Sequence, residues 1–474
     1  MHPDDEGAEA YYENSYGKLF RKCPGLKGVT LVGESVEFPS KDPHVSPGHC
    51  NKTDIDGVPT GKLTAGWYPC MDYPTWLELI KKVVRKYNKD ADIVFWTYNW
   101  GARPEEARVK LIETLPTDIS LQATFEMFHR FEIGDGMQRC ADYTLSFPGY
   151  GEYFESEAKA AKKRGIRLYS MTNTGGLTWD FGVVPYLPFP YQWMKRYENM
   201  RKANENWGLC GIMESHHYGI YPSFISKLSK RVFEKPFCNM EDALHEILCG
   251  EFGDAVASKV NEALKLWSEA SPYYIPSNPD QYGAFRIGPS YPFNFFDTYL
   301  KPLAEAYSMY GNRIVYANYN DYTDEAISPS SVRLGAEIES LETMKKLMGE
   351  GIEILETIED KNDNLCYLIN MGKFIYRTII TGINAKRWHR LKCAYQYETD
   401  KAKVSAIVDE MEALLLYERE NAESTIELVQ LDSRLGWEPS MEYMTDEEHI
   451  RWKLRQVDYI LNFKLKDVRQ TLTY

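Results

Sequence analysis

Five short apolar runs constrain the first 300 residues: Val29–Gly33, Ile93–Tyr98, Ser120–Phe125, Arg167–Met171 and Leu209–Met213. Each ends abruptly in polar or aromatic residues, and enough chain separates consecutive runs for helices to form between them. A shorter run, Tyr143–Phe147, is a candidate sixth strand. The intervening stretches carry helix signals. Thr75–Asn88 repeats apolar residues at i, i+3, i+4 and i+7. Pro104–Leu115 opens on a proline that a first helical turn tolerates, and Gly151–Arg164 is followed by Gly165, a natural stop. Strands that alternate with helices build a parallel sheet, because a parallel pair needs a long crossover between its members.

A parallel sheet either stays open and doubly wound or closes into a barrel. An open sheet usually announces a nucleotide by a glycine-rich first turn, and no GxGxxG or Walker pattern follows any run here. The run ends carry other groups: Glu34; Asn99 and Trp100; Glu126; Asn173 to Gly176; Glu214 to His217. Functional side chains at the C-terminal ends of several strands mark a (β/α)8 TIM-barrel enzyme. The fold class expected is therefore α/β, a (β/α)8-type catalytic region followed by an all-α helical domain. Five runs fall short of eight, and the chain opens in a helix-like stretch, Ala8–Phe20. The expectation is a barrel lacking its first strands, with roughly 100 residues upstream. The Val29 run is then strand four with a free edge, and the Leu209 run strand eight.

Residues 330–474 change in texture, with little glycine or proline and long amphipathic runs such as GAEIESLETMKKLMGEGIEILETI. They predict a bundle of roughly five helices, with few polar groups clustered on apolar faces. Asp432 and Arg434 in LDSRLGWEPS read as a local ion pair or helix-end cap. The domains expected are 1–235, the partial barrel; 236–330, a helical and aromatic, proline-rich connection; and 331–474, the helical domain.

A net charge of −14 argues against nucleic acid and against an anionic membrane surface as partner. No stretch of about 18 apolar residues predicts a membrane span. The polar N-terminus lacks the features of a signal peptide. Nine cysteines without a CxxC pair read as reduced, mostly buried thiols in a cytoplasmic protein. No cofactor motif occurs. His216 and His217 lack the HxxxH spacing of a helical zinc site, so no metal is expected. HPDDE at 2–6 matches a zinc-binding stretch of deacetylase-like proteins but lacks the preceding strand and the following Gly-rich turn. A sheet with open edges invites association, so a homo-oligomer is a possible state.

A carboxylate at the end of an apolar strand is what glycosidic cleavage requires. One carboxyl protonates the leaving oxygen, and a second attacks the anomeric carbon or activates water. Glu34 fits the acid; Glu37, three residues on, faces the opposite side if the strand continues and joins the site if the chain turns; the alternative for Glu34 is a structural pair with Arg or Lys. Glu214 fits a nucleophile, base or substrate ligand, and Glu126 shares the strand-end position. Trp100 and Trp179 are candidate sugar-stacking walls. Asn99, Asn173, His216 and His217 are candidate donors and acceptors for sugar hydroxyls.

GVTLVGESVEF, followed by aromatic strand ends and GLCGIMESHHYGIYPS, resembles the catalytic barrel of glycoside hydrolases related to family 20 β-hexosaminidases and family 67 α-glucuronidases. CNMEDALHEILCGEFGDAVASKVNEALKLWSEAS resembles the helical segment after those barrels, and ELVQLDSRLGWEPS their helical C-terminal region. The resemblance implies an oligosaccharide or glycoside substrate. Family 20 carries an Asp-Glu pair at strand four, where this chain has Gly33 before Glu34. That departure points away from substrate-assisted chemistry and toward an ordinary pair, Glu34 and Glu214. The alternative is a non-catalytic carbohydrate-binding or scaffold protein built on a degenerate barrel.

Overall fold

The computed structural model describes residues 1–34, 38, 40–42, 69–133, 136–139, 143–181, 183–215, 221–277, 280, 283–296, 329–438 and 443–473. The chain forms two compact units. The first comprises Met1–His129, Gly149–Thr172 and Glu198–Met213, and the second Arg130–Pro148, Asn173–Tyr197 and Glu214–Tyr474.

The seven strands among the described residues are β1 (Gly28–Val32), β2 (Asp92–Trp96), β3 (Ser120–Thr124), β4 (Arg130–Ile133), β5 (Gly136–Arg139), β6 (Arg167–Met171) and β7 (Leu209–Met213). The first unit holds a five-stranded sheet in the order β1-β2-β3-β6-β7, every pair parallel. The five expected runs are its five strands. Their neighbour order is sequential, as in a barrel, and β1 has the free edge expected of it; among the described residues the sheet is open, and a (β/α)8 barrel is not confirmed. β1 and β7 are the two edges of an open sheet. Their outward residues show it: Val32 is 42% exposed and Ile212 38%, whereas Phe95, Leu121 and Ala123 in the middle are fully buried.

The helices follow from local chemistry. Tyr73–Arg85 has Pro74 in its first turn and buries Trp76, Leu77, Ile80, Val83 and Val84 on one stripe. Glu152–Arg164 has Glu152 and Glu155 in its first turn, three basic residues in its last, and Gly165 at φ +72° closing it.

Tyr143–Phe147 is not a strand. Its backbone polar groups find side chains instead of a neighbouring strand: the Leu145 amide donates to Asp180 at 2.6 Å, and Arg196 donates to the Phe147 carbonyl at 2.9 Å. The strands that do form nearby are β4 and β5, an antiparallel hairpin in the second unit.

The rest of the second unit is mainly helical. Phe224–Phe233, Met240–Phe252 and Asp254–Ala270 precede the long helices Pro329–Glu356, Asp363–Tyr397 and Lys401–Glu423; Ile426–Leu431, Glu447–Tyr459 and Leu465–Leu472 follow. Trp267 is fully buried and its indole N–H donates to the Met348 carbonyl at 3.0 Å. A Cβ at Gly351 or Gly372 would lie 2.3 or 2.4 Å from its ring atoms, so two glycines on two helices make room for it.

The expectation of few buried polar clusters fails. Glu418 and Lys453 are an ion pair of wholly buried residues, and Glu418 also accepts from Thr381 and Asn384, each at 2.7 Å. Lys386 bridges Asp280 at 2.8 Å and Glu337 at 2.9 Å, all three buried. These partners lie on separate elements, so no single helical pattern displays the cluster. The seven described cysteines are free thiols, but only Cys70 and Cys393 are buried, which corrects the expectation of mostly buried ones. Among the described residues no helix is long and apolar enough to cross a membrane.

Candidate active site

β1 and β2 run parallel, and the Gly33 amide extends their ladder by donating to the Trp96 carbonyl at 2.7 Å. The chain then turns at both strand ends. Glu34 follows β1, and Asn99, in left-handed conformation at φ +64°, follows β2. Asparagine tolerates that conformation better than most residues with a side chain. The Asn99 amide Nδ2 donates to Glu34 Oε1 at 2.8 Å. Glu34 is half-buried, and burial raises its pKa above the ordinary carboxylate value while the Asn99 hydrogen bond, which favours the charged form, opposes the rise. Its described partner is an amide, so the alternative of a structural pair with Arg or Lys is not what this turn presents.

Gly33 explains the missing aspartate. A Cβ there would sit 2.9 Å from the Phe95 ring and 3.2 Å from Trp100. The Gly33 carbonyl accepts the Trp100 indole N–H at 2.8 Å and the Tyr73 hydroxyl at 3.2 Å. Trp100 is fully buried against Tyr73 and Phe95. Its expected role as a stacking wall is therefore corrected: the ring supports the Glu34 turn from beneath, and an aromatic after a strand can serve either purpose.

A buried network that sequence reasoning missed holds the Asn99 turn. Thr97, the residue after β2, donates its hydroxyl to Glu157 and its carbonyl accepts the Tyr153 hydroxyl. Arg108 pairs with Glu157 at 3.1 Å and stands 5.0 Å over the Tyr153 ring. Burial pushes Glu157 up to about 7, against the pull of Arg108 and Thr97. Glu157 reads in sequence as one more charge on a Glu- and Lys-rich helix; only its burial among the helix's inward residues separates it. Glu126 directly follows Phe125 at the end of β3 and is also fully buried.

In the second unit, Asn173 is fully buried in left-handed conformation, φ +52°, and Glu214 is half-buried. The Glu214 carbonyl accepts the Gly175 amide at 3.0 Å, which ties these two loops together. Trp179 is half-buried. The Arg286 guanidinium stands 3.9 Å over one face of its ring, and Tyr143 meets it edge-on. Its neighbour Asp180 is buried, and burial pushes it up to about 7. Glu37, His216 and His217 lie outside the described residues.

Among the described residues no group of three or more His, Cys, Asp or Glu side chains is arranged to hold a metal. The HPDDE stretch is a turn: the His2 amide donates to Asp5, and the Asp4 amide donates to His2 Nδ1 at 3.0 Å.

No protein-family model matches this chain, and no curated protein matches it. Among solved structures it is similar to a GH138 enzyme targeting pectin rhamnogalacturonan II, at 9% identity with a TM-score of 0.54. The match covers 99% of this chain but 65% of that one, so the chain spans about two-thirds of its length. At this identity the likeness shows a shared fold. It supports a glycosidase-like fold and does not extend to families 20 or 67.

Proposed function

We propose that the chain is a glycoside hydrolase in which Glu34 protonates the leaving oxygen. The observation that carries this reading is the Glu34 carboxyl at the end of β1, half-buried, raised in pKa and held by Asn99. Burial shifts this carboxyl in the direction a general acid needs, toward holding its proton at higher pH. Similarity to the GH138 fold supports a carbohydrate as substrate.

A second carboxylate must attack or activate water. The candidates are Glu214, after β7, Glu126, after β3, and Glu37, which lies outside the described residues. Substrate-assisted hexosaminidase chemistry is disfavoured, because its orienting aspartate would have to occupy the crowded Gly33 position. Asn99 instead holds the Glu34 carboxyl, and in this reading the second carboxylate comes from the protein.

The test is hydrolysis of a panel of aryl glycosides, with the first-formed anomer read by NMR. Glu37→Ala, Glu126→Ala and Glu214→Ala are then assayed with added azide. The carboxylate whose loss abolishes turnover and is rescued by azide is the second group, and the product anomer reports retention or inversion. No hydrolysis of any member, with sugar binding intact, would favour the non-catalytic carbohydrate-binding alternative.

A further inference from the structure

Ser433, Arg434 and Trp437 of the LDSRLGWEPS segment, which the acid–base reading leaves unused, line a cavity of about 510 Å³ within the second unit. Leu177 and Pro185 give it an apolar side, and Tyr221, Arg434, Trp437 and Tyr443 the remainder. That volume lies within the range of small-molecule sites, roughly 300–1,000 Å³.

Its two outer rings are unusually open for a protein interior. Trp437 is 42% exposed and Tyr443 39%. They meet edge to face, centroids 5.0 Å apart and planes at 69°, across an isolated antiparallel bridge between the two residues. Tyr443 is fixed further by its hydroxyl, which donates to the Ser433 carbonyl at 2.8 Å. Both rings therefore sit on restrained backbone, and little ordering remains to be done on binding.

Arg434 is fixed as well. Its Nε and Nη2 each donate to Asp432 at 2.7 Å, and Nη1 donates to the Tyr221 hydroxyl at 2.7 Å. Its guanidinium lies 4.4 Å over the Tyr367 ring. Three of the five guanidinium N–H groups are used, so donors remain for a ligand. The charge, however, is already matched by the buried Asp432 carboxylate.

We infer that this cavity is a second carbohydrate site that binds a neutral sugar residue, with Trp437 and Tyr443 as stacking faces and Arg434 as hydroxyl donor. Exposed flat rings suit the apolar face of a pyranose. A matched guanidinium offers hydrogen bonds but no surplus charge for a uronate. The inference stands on this lining and not on Glu34, so it survives if the chain proves inactive as a hydrolase.

The experiment is calorimetric titration of the full chain with neutral hexasaccharides of β-glucan, xylan, mannan and galactan, with hexagalacturonate as the charged control. At least one neutral probe should bind. Trp437→Ala and Tyr443→Ala, which replace exposed rings and should fold as judged by circular dichroism, should each weaken that binding about tenfold, a loss near 1.4 kcal/mol. Glu34→Gln should leave it unchanged. Absence of binding by every neutral probe, preference for hexagalacturonate, or binding that survives both aromatic substitutions would each overturn the site.

Discussion

A carboxyl that donates a proton near neutrality has to be kept from ionising. At Glu34 burial shifts the pKa upward, in that direction, and the Asn99 hydrogen bond opposes the shift. The sign of a substitution follows. Asn99→Gly keeps the left-handed backbone conformation available and removes the donor, so the charged form loses a hydrogen bond and the Glu34 pKa rises further. The alkaline limb of kcat/KM, where the acid is lost, should move to higher pH; a limb unmoved or moved down would contradict this pairing. At the neighbouring position, Gly33→Asp should not recreate a family 20 pair. It drives a side chain into Phe95 and Trp100, and overpacking alone costs about 1–3 kcal/mol. Denaturant unfolding should register that loss, with activity reduced and no N-acetyl preference gained. Glu34 and Asn99 were legible because each ends an apolar run. The burial of Trp100 was not, since one sequence position after a strand does not say whether the ring faces outward or under the turn.

Among the elements, all five parallel strands were legible from apolar runs and the helices between them from period and caps. Tyr143–Phe147 misled because an apolar run records burial and not strand pairing. Its amides and carbonyls are satisfied by Asp180 and Arg196, from 35 and more residues away in the chain. The Thr97–Glu157 contact was equally hidden, with 60 residues between its partners. Asp180 offers a pH test of that loop. Burial raises its pKa from the ordinary 3.8 to about 7, so its contribution to stability is complete below about 3.8 and is lost as pH rises through about 7. Asp180→Asn retains an acceptor for the Leu145 amide and does not ionise. Its melting temperature relative to the parent should therefore increase between pH about 4 and about 7. A constant difference across that window would show that Asp180 is ionised throughout.

At the scale of the whole molecule, the fold is glycosidase-like and the stability of its helical part depends on buried charge. Lys453→Met leaves the buried Glu418 carboxyl without its cation, and breaking such a pair costs about 3–5 kcal/mol. Adding Glu418→Leu should recover part of that loss by removing the buried charge, and only part, because Thr381 and Asn384 lose their acceptor. Chemical denaturation of the single and double variants checks both statements. The central claim, that Glu34 is the general acid, is tested most directly by Glu34→Gln on two substrates of one glycone. An aryl leaving group needs little protonation and a sugar leaving group needs it fully. The account predicts a modest loss of kcat on the aryl glycoside and a much larger one on the natural glycan, with sugar binding nearly unchanged. Parent rates on both substrates would show that Glu34 is a structural carboxylate and not the acid.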